Sequence, residues 1–227
     1  MSKVDVVAID GPAGSGKSTV AKAVARKLDW DYIDTGARYR CLCLKALRNP
    51  VDFEDERGIV ELLDETSMRM TFQGGELKVY MDGEDVSQAI RQNQVSRRVS
   101  EIAALKQVRK RLVKKQRSMG ITGNVVMDGR DIGTVVFPDA AYKFYLDASL
   151  EIRARRRYTE LRDKQKNVDF ESVVEEIEQR DETDRERASG PLKAAEDAVC
   201  IDTSQLTVDE VVHRLLEIIE ETESCAG

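Results

Sequence analysis

The sequence predicts an α/β fold in which helices cover both faces of a doubly wound, mostly parallel sheet of about five strands. Short apolar runs typical of strands alternate with amphipathic helical segments along most of the chain. A glycine-rich turn joins the first of these strands directly to the first helix. Near the middle of the chain the hydrophobic residues change from a helical to an alternating period, which indicates a small antiparallel sheet inserted into the α/β core.

Composition and charge narrow the class of protein. The chain has 227 residues, and 36 Lys and Arg against 42 Asp and Glu give a net charge of −6. This balance argues against a chain that binds nucleic acid or anionic membranes over its whole surface, so we expect neither as a partner. The start Met-Ser-Lys-Val-Asp lacks a signal-peptide apolar region, and no stretch approaches the roughly 18 apolar residues of a membrane span. We therefore expect a cytoplasmic protein.

Residues 4–19 carry the most informative motif, a phosphate-binding loop between the first strand and a helix predicted from about Lys17 to Leu28. Gly11, Gly16, Lys17 and Ser18 fit G-x-x-x-x-G-K-[ST], in which backbone N–H groups cradle nucleotide phosphates, the lysine reaches the β/γ oxygens and the hydroxyl binds Mg²⁺. The glycines allow positive φ, and the helix directs its positive end at the anion. The predicted nucleotide-binding residues are Gly11, Pro12, Ala13, Gly14, Ser15, Gly16, Lys17, Ser18 and Thr19.

The next elements surround an expected insertion. A short strand at 30–33, a turn at 34–36, and helices at 37–47 and 54–65 are predicted, which puts Arg40 one helical turn beyond Gly36. Met68, Met70 and Phe72 then alternate with polar residues, and the alternation resumes after a Gly-Gly turn. The sequence therefore predicts a core of 1–65 and 93–227, interrupted by a hairpin subdomain at about 66–92.

Residues 91–117 are strongly basic, with ten Lys or Arg residues and one acid. The apolar spacing predicts one helix with a buried stripe, and three interpretations of its charges stay open. Most of the charges fit a solvated face. A nucleic-acid groove is disfavoured by the acidic total and the sparse aromatics. In the third interpretation, a few residues such as Ser100 and Arg109 face a nucleotide while the others are scaffold.

The second half of the chain supplies arginine and acidic residues near strand ends. The run Asp-Gly-Arg-Asp-Ile-Gly-Thr at 128–134 follows a predicted strand at 124–127, the position where parallel sheets bind ligands. A strand at 141–146 precedes a helix that Ser149 caps and that contains Arg153, Arg155, Arg156 and Arg157. A further helix contains Arg180, Asp184 and Arg187, so 153–187 forms a candidate lid. The last strand, 199–202, is followed by a helix that starts with the capping box Thr207 and Glu210.

These residues point to phosphoryl transfer. The base-reading motif N-K-x-D of guanine-nucleotide switches is absent from the sequence. Transfer between two nucleotides spreads negative charge over oxygens that arginine's planar fork can hold, and Arg40, Arg130, Arg180 and Arg187 lie near turns or strand ends. Each arginine taken singly is more often an ordinary surface or paired residue, so the constellation carries the argument.

Four segments together resemble the bacterial cytidylate kinases. They are Gly-Pro-Ala-Gly-Ser-Gly-Lys-Ser-Thr at 11–19, Ile-Asp-Thr-Gly-Ala-Arg-Tyr-Arg at 33–40, Asp-Gly-Arg-Asp-Ile-Gly-Thr-Val-Val-Phe-Pro-Asp-Ala at 128–140, and Arg-Asp-x-x-Asp-Arg-x-Arg at 180–187. The resemblance covers nearly the whole chain, and the segment at 128–134 is its most specific part. It implies ATP-dependent phosphorylation of CMP and dCMP, with ATP on the loop and the monophosphate under the inserted subdomain.

The resemblance also implies residue roles. Arg40, Arg130 and Arg187 would hold the acceptor phosphate, and Ser100, Arg109 and Asp131 would read cytosine. Asp184 and Arg180 would lie by the ribose. Lys17 would bridge the donor phosphates, and the cluster 153–157 would close over the transferring group. The residues expected to act in catalysis are Lys17, Arg130, Arg157 and Arg187, and the further acceptor-site candidates are Asp34, Thr35 and Asp128.

Several points stay open. We expect Mg²⁺ to be held by phosphates, Ser18 and water, with Asp34 or Asp128 orienting the metal's waters or the acceptor. Arg38 departs from the resemblance, because that position is commonly apolar; it either adds a cation to the acceptor pocket or turns outward. The rival interpretations are a kinase of the same fold for another monophosphate or a coenzyme precursor, and more remotely a nucleotide- or RNA-binding module. By analogy of fold we expect a monomer.

Overall fold

The computed structural model describes residues 5–73, 76–121, 123–164 and 168–226. Its centre is a five-stranded parallel sheet with strand order β2-β6-β1-β7-β8, and a three-stranded antiparallel sheet, β3-β4-β5, lies outside it. The strands are β1 (Val6–Asp10), β2 (Asp31–Asp34), β3 (Met68–Gln73), β4 (Glu76–Met81), β5 (Glu84–Asp85), β6 (Val125–Asp128), β7 (Tyr142–Asp147) and β8 (Val199–Asp202). The helices are α1 (Lys17–Leu28), α2 (Thr35–Leu47), α3 (Glu56–Glu65), α4 (Asn93–Ala104), α5 (Lys106–Met119), α6 (Leu150–Lys164), α7 (Phe170–Glu186) and α8 (Val208–Ala226). The predicted α/β fold is confirmed.

The central strand β1 is buried on both faces, as expected for a strand in a doubly wound sheet. Val7 and Ile9 belong to the large core that also includes residues of α1, α2 and α8. Val6 and Ala8 face the opposite layer, where Ile132 and Val136 pack. Because both faces are covered, β1 is held rigidly, and its carboxyl end is a firm base for the loop that follows.

The predicted antiparallel sheet is confirmed, and it begins two residues later than the expected insertion. Met68 pairs with Met81, and β5 adds a third, two-residue strand through Met81 and Glu84. The turn residues Gly74 and Gly75 lie outside the described residues. Leu77, Val79 and Met81 are buried and join the main core, so the small sheet packs onto the domain instead of standing apart.

The prediction of one helix over 91–117 is wrong. α4 ends and α5 begins at Leu105, whose φ of −66° and ψ of 115° are extended. The Glu56 carboxylate of α3 accepts a hydrogen bond from the Gln107 backbone N–H at 2.7 Å, which satisfies a free donor at the start of α5. This contact is tertiary, and no glycine or proline marks the break in the local sequence.

Two element starts are also informative. The predicted turn at 34–36 is wrong, because α2 begins at Thr35 and the Asp34 carboxylate caps it by accepting from the Ala37 N–H at 2.7 Å. The predicted capping box of α8 is confirmed, since Glu210 accepts from the Thr207 N–H at 2.8 Å. Among the described residues, no helix is both long and apolar enough to cross a membrane.

Candidate active site

The glycine-rich segment forms a tight loop between β1 and α1. Gly11, Gly14 and Gly16 have φ values of +146°, +79° and +89°, which residues with a side chain rarely adopt. At Gly11 a Cβ would lie 2.0 Å from the Leu146 carbonyl oxygen, so only glycine fits there. In the part of the chain that is described, no side chain caps α1. Its first N–H groups are therefore free to bind an anion.

Lys17 folds back over this loop. Its Nζ donates to the Pro12 carbonyl oxygen at 2.6 Å and to Ser15 Oγ at 3.3 Å, and its side chain is buried. Burial, followed by repulsion from Arg130, holds the pKa of Lys17 well below its usual range. An anion placed in the loop would restore the charged form, because it offsets both effects.

Ser18 belongs to a hydrogen-bond network that centres on Asp128 at the end of β6. Ser18 Oγ donates to Asp128 Oδ2 at 2.6 Å, and the Tyr32 hydroxyl donates to Asp128 Oδ1 at 2.7 Å. The Thr35 hydroxyl donates to the Asp128 carbonyl oxygen at 2.7 Å. Burial, with the nearby Asp34 charge, raises the pKa of Asp128. A cation bound beside Ser18 would lower the pKa of Asp128, because its positive charge would favour the ionised carboxylate.

Asp34 is engaged differently from Asp128. Its carboxylate caps α2 and accepts from Arg40 Nη2 at 2.7 Å. Of the two carboxylates proposed to orient metal-bound water, Asp128 is the one that contacts Ser18, whereas Asp34 holds the arginine that faces the cavity.

A second cluster lies at the start of the 128–134 segment and along α7. Arg130 Nε donates to Asp184 Oδ2 at 2.9 Å, and Ser100 Oγ donates to Asp184 Oδ1 at 3.2 Å. Burial raises the pKa of Asp184, but Arg130, Arg180 and Arg187 outweigh it, and the net shift is downward. Asp184 is therefore a carboxylate that joins α4, the β6 end and α7.

Behind this cluster, Arg109 is paired with Asp131, and both are buried. Arg187 Nη2 lies 3.5 Å from Asp131 Oδ1, and Arg187 Nε donates to the Gly190 carbonyl oxygen at 2.5 Å. A Cβ at Gly190 would lie 2.1 Å from Arg109 Nη2. The loop after α7 thus packs directly on the Arg109–Asp131 pair.

The phosphate loop and the network around Asp128 line one cavity of about 1260 Å³. It brings together residues from distant parts of the chain, including the loop, Ser100 on α4 and Arg180 on α7. Gly11, Pro12, Thr35, Arg109, Asp131, Asp184 and Arg187 do not line this cavity and lie behind its wall. The predicted site residues that line it are Ala13, Gly14, Ser15, Gly16, Lys17, Ser18, Thr19, Asp34, Arg40, Ser100, Asp128, Arg130, Arg157 and Arg180.

Comparison with known proteins identifies the family. A sequence model described as cytidylate kinase matches residues 7–221. The chain belongs to the cytidylate kinase family. A cytidylate kinase of Caldanaerobacter subterraneus is 53% identical over 94% of this chain and 93% of its own length. One from Bacillus licheniformis is 49% identical over 97% of this chain and 98% of its own. The resemblance inferred from the four segments is confirmed.

Solved structures bear on the fold alone. A crystal structure of an uncharacterized protein from Eubacterium ventriosum matches with a TM-score of 0.54 at 14% identity, and the match covers 96% of this chain and 99% of that one. At this identity the likeness extends the shared architecture to distant sequences and carries no residue roles.

The expectation for the arginine cluster 153–157 in this cytidylate kinase family member is partly wrong. Arg153 is buried, donates to the carbonyl oxygens of Ala148 at 2.9 Å and Ala13 at 3.0 Å, and pairs with Asp181. Arg155 points outward and pairs with Glu151 on its own helix. Among the members of this cluster, Arg156 and Arg157 line the cavity. The α-helical spacing puts successive arginines on different faces, so one run cannot all converge on one ligand.

Arg38, which departs from the family pattern, neither enters the cavity nor turns outward. It is buried, and its Nη2 donates to Met119 Sδ at 3.0 Å. Its buried Nε has no hydrogen-bond partner among the described residues. Burial lowers the pKa of Arg38. The structure therefore gives it no contact with the acceptor end.

Some residues that shape the site were not identified from the sequence. Tyr32 holds Asp128, and Asp181 accepts from the Ala13 N–H at 3.1 Å. Asp10 accepts from the backbone N–H groups of Ile132 and Gly133, both in the 128–134 segment. The only available signal was their position at strand ends or within a motif, because their partners lie far away along the chain.

The site fits nucleotide phosphates. Arg40 and Arg180 line the cavity, and the buried Nε of each lacks a hydrogen-bond partner in the described ranges. Burial, with repulsion from Arg130, lowers the pKa of Arg180 to about 10. Unsatisfied buried donors and mutually repelling cations indicate a site for anions. The Ser18 hydroxyl and the Asp128 carboxylate are the oxygen donors that Mg²⁺ prefers.

Proposed function

We propose that this chain transfers the terminal phosphoryl group of ATP to CMP and dCMP, giving CDP and dCDP. The observation that carries the proposal is a cavity lined both by the phosphate loop and by Ser100 and Arg130, which are held by Asp184 behind them, in a cytidylate kinase family member. A single cleft can hold the donor and acceptor in line, which is most of what phosphoryl transfer requires.

On the donor side, the loop N–H groups and Lys17 bind the β- and γ-phosphates. Lys17 lies beside Ser15 and Pro12 in the structure, at the point where the loop would close around an anion. Mg²⁺, held by phosphate oxygens, Ser18 and water, would neutralise charge that develops between the phosphates. Asp128 orients Ser18, and through it the waters on that side.

On the acceptor side, Arg40 and Arg130 hold the monophosphate, with Asp34 and Asp184 fixing the two guanidinium groups. Arg187 acts from behind through Asp131 and Asp184. The ribose is assigned to Arg180, which lines the cavity, with Asp184 acting from behind the wall. Thr35 supports the Asp128 main chain. Arg157, whose Nη2 donates to Ser96 Oγ at 3.3 Å, closes the cavity from the candidate lid at 153–187.

Base selection is assigned to Ser100, which lines the cavity, and to the Arg109–Asp131 pair, which lies behind the cavity wall. Cytosine presents an exocyclic amino donor next to acceptor atoms, which complements a carboxylate and a guanidinium. Uracil presents a carbonyl oxygen where the amino group was, so the carboxylate would be left facing an acceptor. Sites built on such hydrogen bonds reject the wrong ligand by roughly 10⁴-fold or more.

The nearest alternative is a kinase for another monophosphate, and substrate profiling separates the two. An ADP-release assay with Mg²⁺, ATP and each monophosphate in turn, with a no-acceptor control, should show selective turnover with CMP and dCMP. Equal turnover with UMP would overturn the base assignment and keep the donor site. An RNA-binding module would instead show salt-sensitive RNA binding and no turnover. The monomeric state and the cytoplasmic location stay predictions.

A further inference from the structure

Asp10, the last residue of β1, makes an unusual tertiary contact. Its Oδ1 accepts from the Ile132 backbone N–H at 2.8 Å, and its Oδ2 accepts from the Gly133 N–H at 2.8 Å. The side chain is only 4% exposed. Both oxygens of one buried carboxylate are therefore committed to consecutive N–H groups of a segment more than a hundred residues away.

This contact joins the two halves of the site. Gly11, the next residue, opens the phosphate loop, while Asp131 immediately precedes the two N–H groups that Asp10 binds. Residues 132–136 form a short buried helical turn, and no side-chain hydrogen bond from Asp131 caps it. The Asp131 carboxylate is directed to Arg109 instead. Asp10 thus accepts from the N–H groups of Ile132 and Gly133, which the Asp131 side chain does not cap. The Asp131 carboxylate can therefore pair with Arg109.

We propose that Asp10 is a positioning residue for base selection: by holding the N–H groups of Ile132 and Gly133, it sets Asp131 against Arg109 and ties that pair to the phosphate loop. The inference rests on the proposed reading of cytosine by this pair. Asp10 does not line the cavity, and it acts through the main chain on either side of it. Consecutive donors at two oxygens constrain both position and rotation of the segment, which a single hydrogen bond would not do.

The arrangement is strongest with the ionised carboxylate, since protonation removes the charge assistance and puts a hydrogen on one of the two accepting oxygens. The charged groups that face Asp10 are Asp131, Lys17 and Lys143, the last through its stem beside Gly133. Burial raises the pKa of Asp10 to about 7; the two backbone hydrogen bonds and Lys17 oppose that rise, and Asp131 adds to it. We therefore expect one of the two contacts to weaken as the pH falls below about 7.

The test is Asp10→Asn, which keeps the shape but turns one acceptor oxygen into a donor that faces an N–H group. The ratio of kcat/KM for CMP to that for UMP should fall about tenfold, with KM for ATP changed by less than about twofold. In the unsubstituted protein the ratio should fall as pH is lowered from 8.5 to 5.5 through about 7, and the variant should show no such inflection. Titration of the acceptor phosphate is common to CMP and UMP and cancels in the ratio.

Asp5→Asn, at the opposite end of the same strand region, is the matched control and should leave the ratio unchanged. A ratio that is unaltered in Asp10→Asn, or that is independent of pH in the unsubstituted protein, would overturn the proposal.

Amide hydrogen exchange at Ile132 and Gly133 provides a readout without turnover: exchange should be faster in the variant than in the unsubstituted protein. Faster exchange with no cytidylate activity in either protein would mean that the proposed function has failed and the tie to Asp10 holds. Unaltered exchange would refute the tie, and a variant that does not fold leaves the pH profile of the unsubstituted protein to decide.

Discussion

At the residue scale, the site is built from side chains that are buried although they are charged. Lys17 and Arg180 line the cavity, and burial lowers the pKa of each. Such groups cost stability unless they have partners, so their placement around an open cavity fits a site for an anion. Arg38 is also a buried cation, but it does not line the cavity. We therefore expect substitution of Lys17 to reduce activity and substitution of Arg38 to increase stability.

Lys17→Ala should lower kcat by about 10²-fold or more while KM for CMP changes by less than about threefold, because the charge that Lys17 stabilises develops on the donor phosphates. Steady-state kinetics with CMP varied at saturating ATP would measure both. Lys27→Ala, an exposed position on the same helix, serves as the control and should be silent. Unchanged kcat in Lys17→Ala would contradict the assignment of the loop.

Arg38→Leu should raise the free energy of unfolding by about 1 kcal/mol, because it removes a buried guanidinium whose Nε lacks a partner among the described residues. Kinetic constants for CMP should stay the same, since Arg38 lies outside the cavity lining. Urea unfolding measures the change, with Arg57→Leu at a highly exposed position as the control. Loss of stability in Arg38→Leu would show that the Met119 contact outweighs the burial cost.

At the scale of elements, α6 and α7 grip the phosphate loop as well as facing the cavity. The two peptide groups of Ala13 are both held: its N–H by Asp181 of α7 and its carbonyl oxygen by Arg153 of α6. Arg180, next to Asp181 on α7, lines the cavity. The loop, Arg153 and Asp181 therefore form one unit with the helices of the candidate lid, and we expect donor binding to be coupled to their position.

Asp181→Asn should raise KM for ATP about tenfold or more, with a smaller effect on KM for CMP, because it weakens both the Ala13 N–H contact and the ion pair with Arg153. The measurement is initial rates with each substrate varied in turn. Glu178→Gln, exposed on the same helix, is the matched control. An equal rise in both KM values would show general loss of folding instead of a donor-side role.

At the scale of the whole molecule, contacts cross the cavity. Arg97 Nε on α4 donates to Glu176 Oε1 on α7 at 2.6 Å, and Arg157 on α6 reaches Ser96 on α4. The buried charges around the cavity lower the free energy of unfolding, a trade-off between stability and function that is common at active sites. Asp10 gives the clearest case, because its pKa is raised from 3.8 to about 7 by burial.

The contribution of Asp10 to stability should therefore fall as pH rises from about 4 to 7 and stay constant above that. The sign follows from proton binding: between these pH values the folded chain holds a proton that the unfolded chain has released. Going from pH 5 to pH 8, Asp10→Asn should gain about 2 kcal/mol in free energy of unfolding relative to the unsubstituted protein. Urea unfolding of both proteins at the two pH values measures it, and a constant difference would contradict the raised pKa.

Local sequence by itself determined the strands, most of the helices and the phosphate loop. β1, the glycine turn and α1 follow from adjacent residues, since apolar strand, positive φ and helix start are short-range properties, and Lys17 and Ser18 come with them. The alternation of Met68, Met70 and Phe72 likewise sufficed to predict the small sheet.

Only the tertiary structure decided which charges face the cavity. Arg153, Arg156 and Arg157 are the same residue type on one helix, yet Arg153 pairs with Asp181. The break between α4 and α5 at Leu105 depends on the Glu56 carboxylate. The contact of Asp10 depends on the N–H groups of Ile132 and Gly133. The reason is that hydrogen bonds to a buried charge are satisfied by whichever groups the fold brings near, and those partners are separated along the chain by tens to more than a hundred residues.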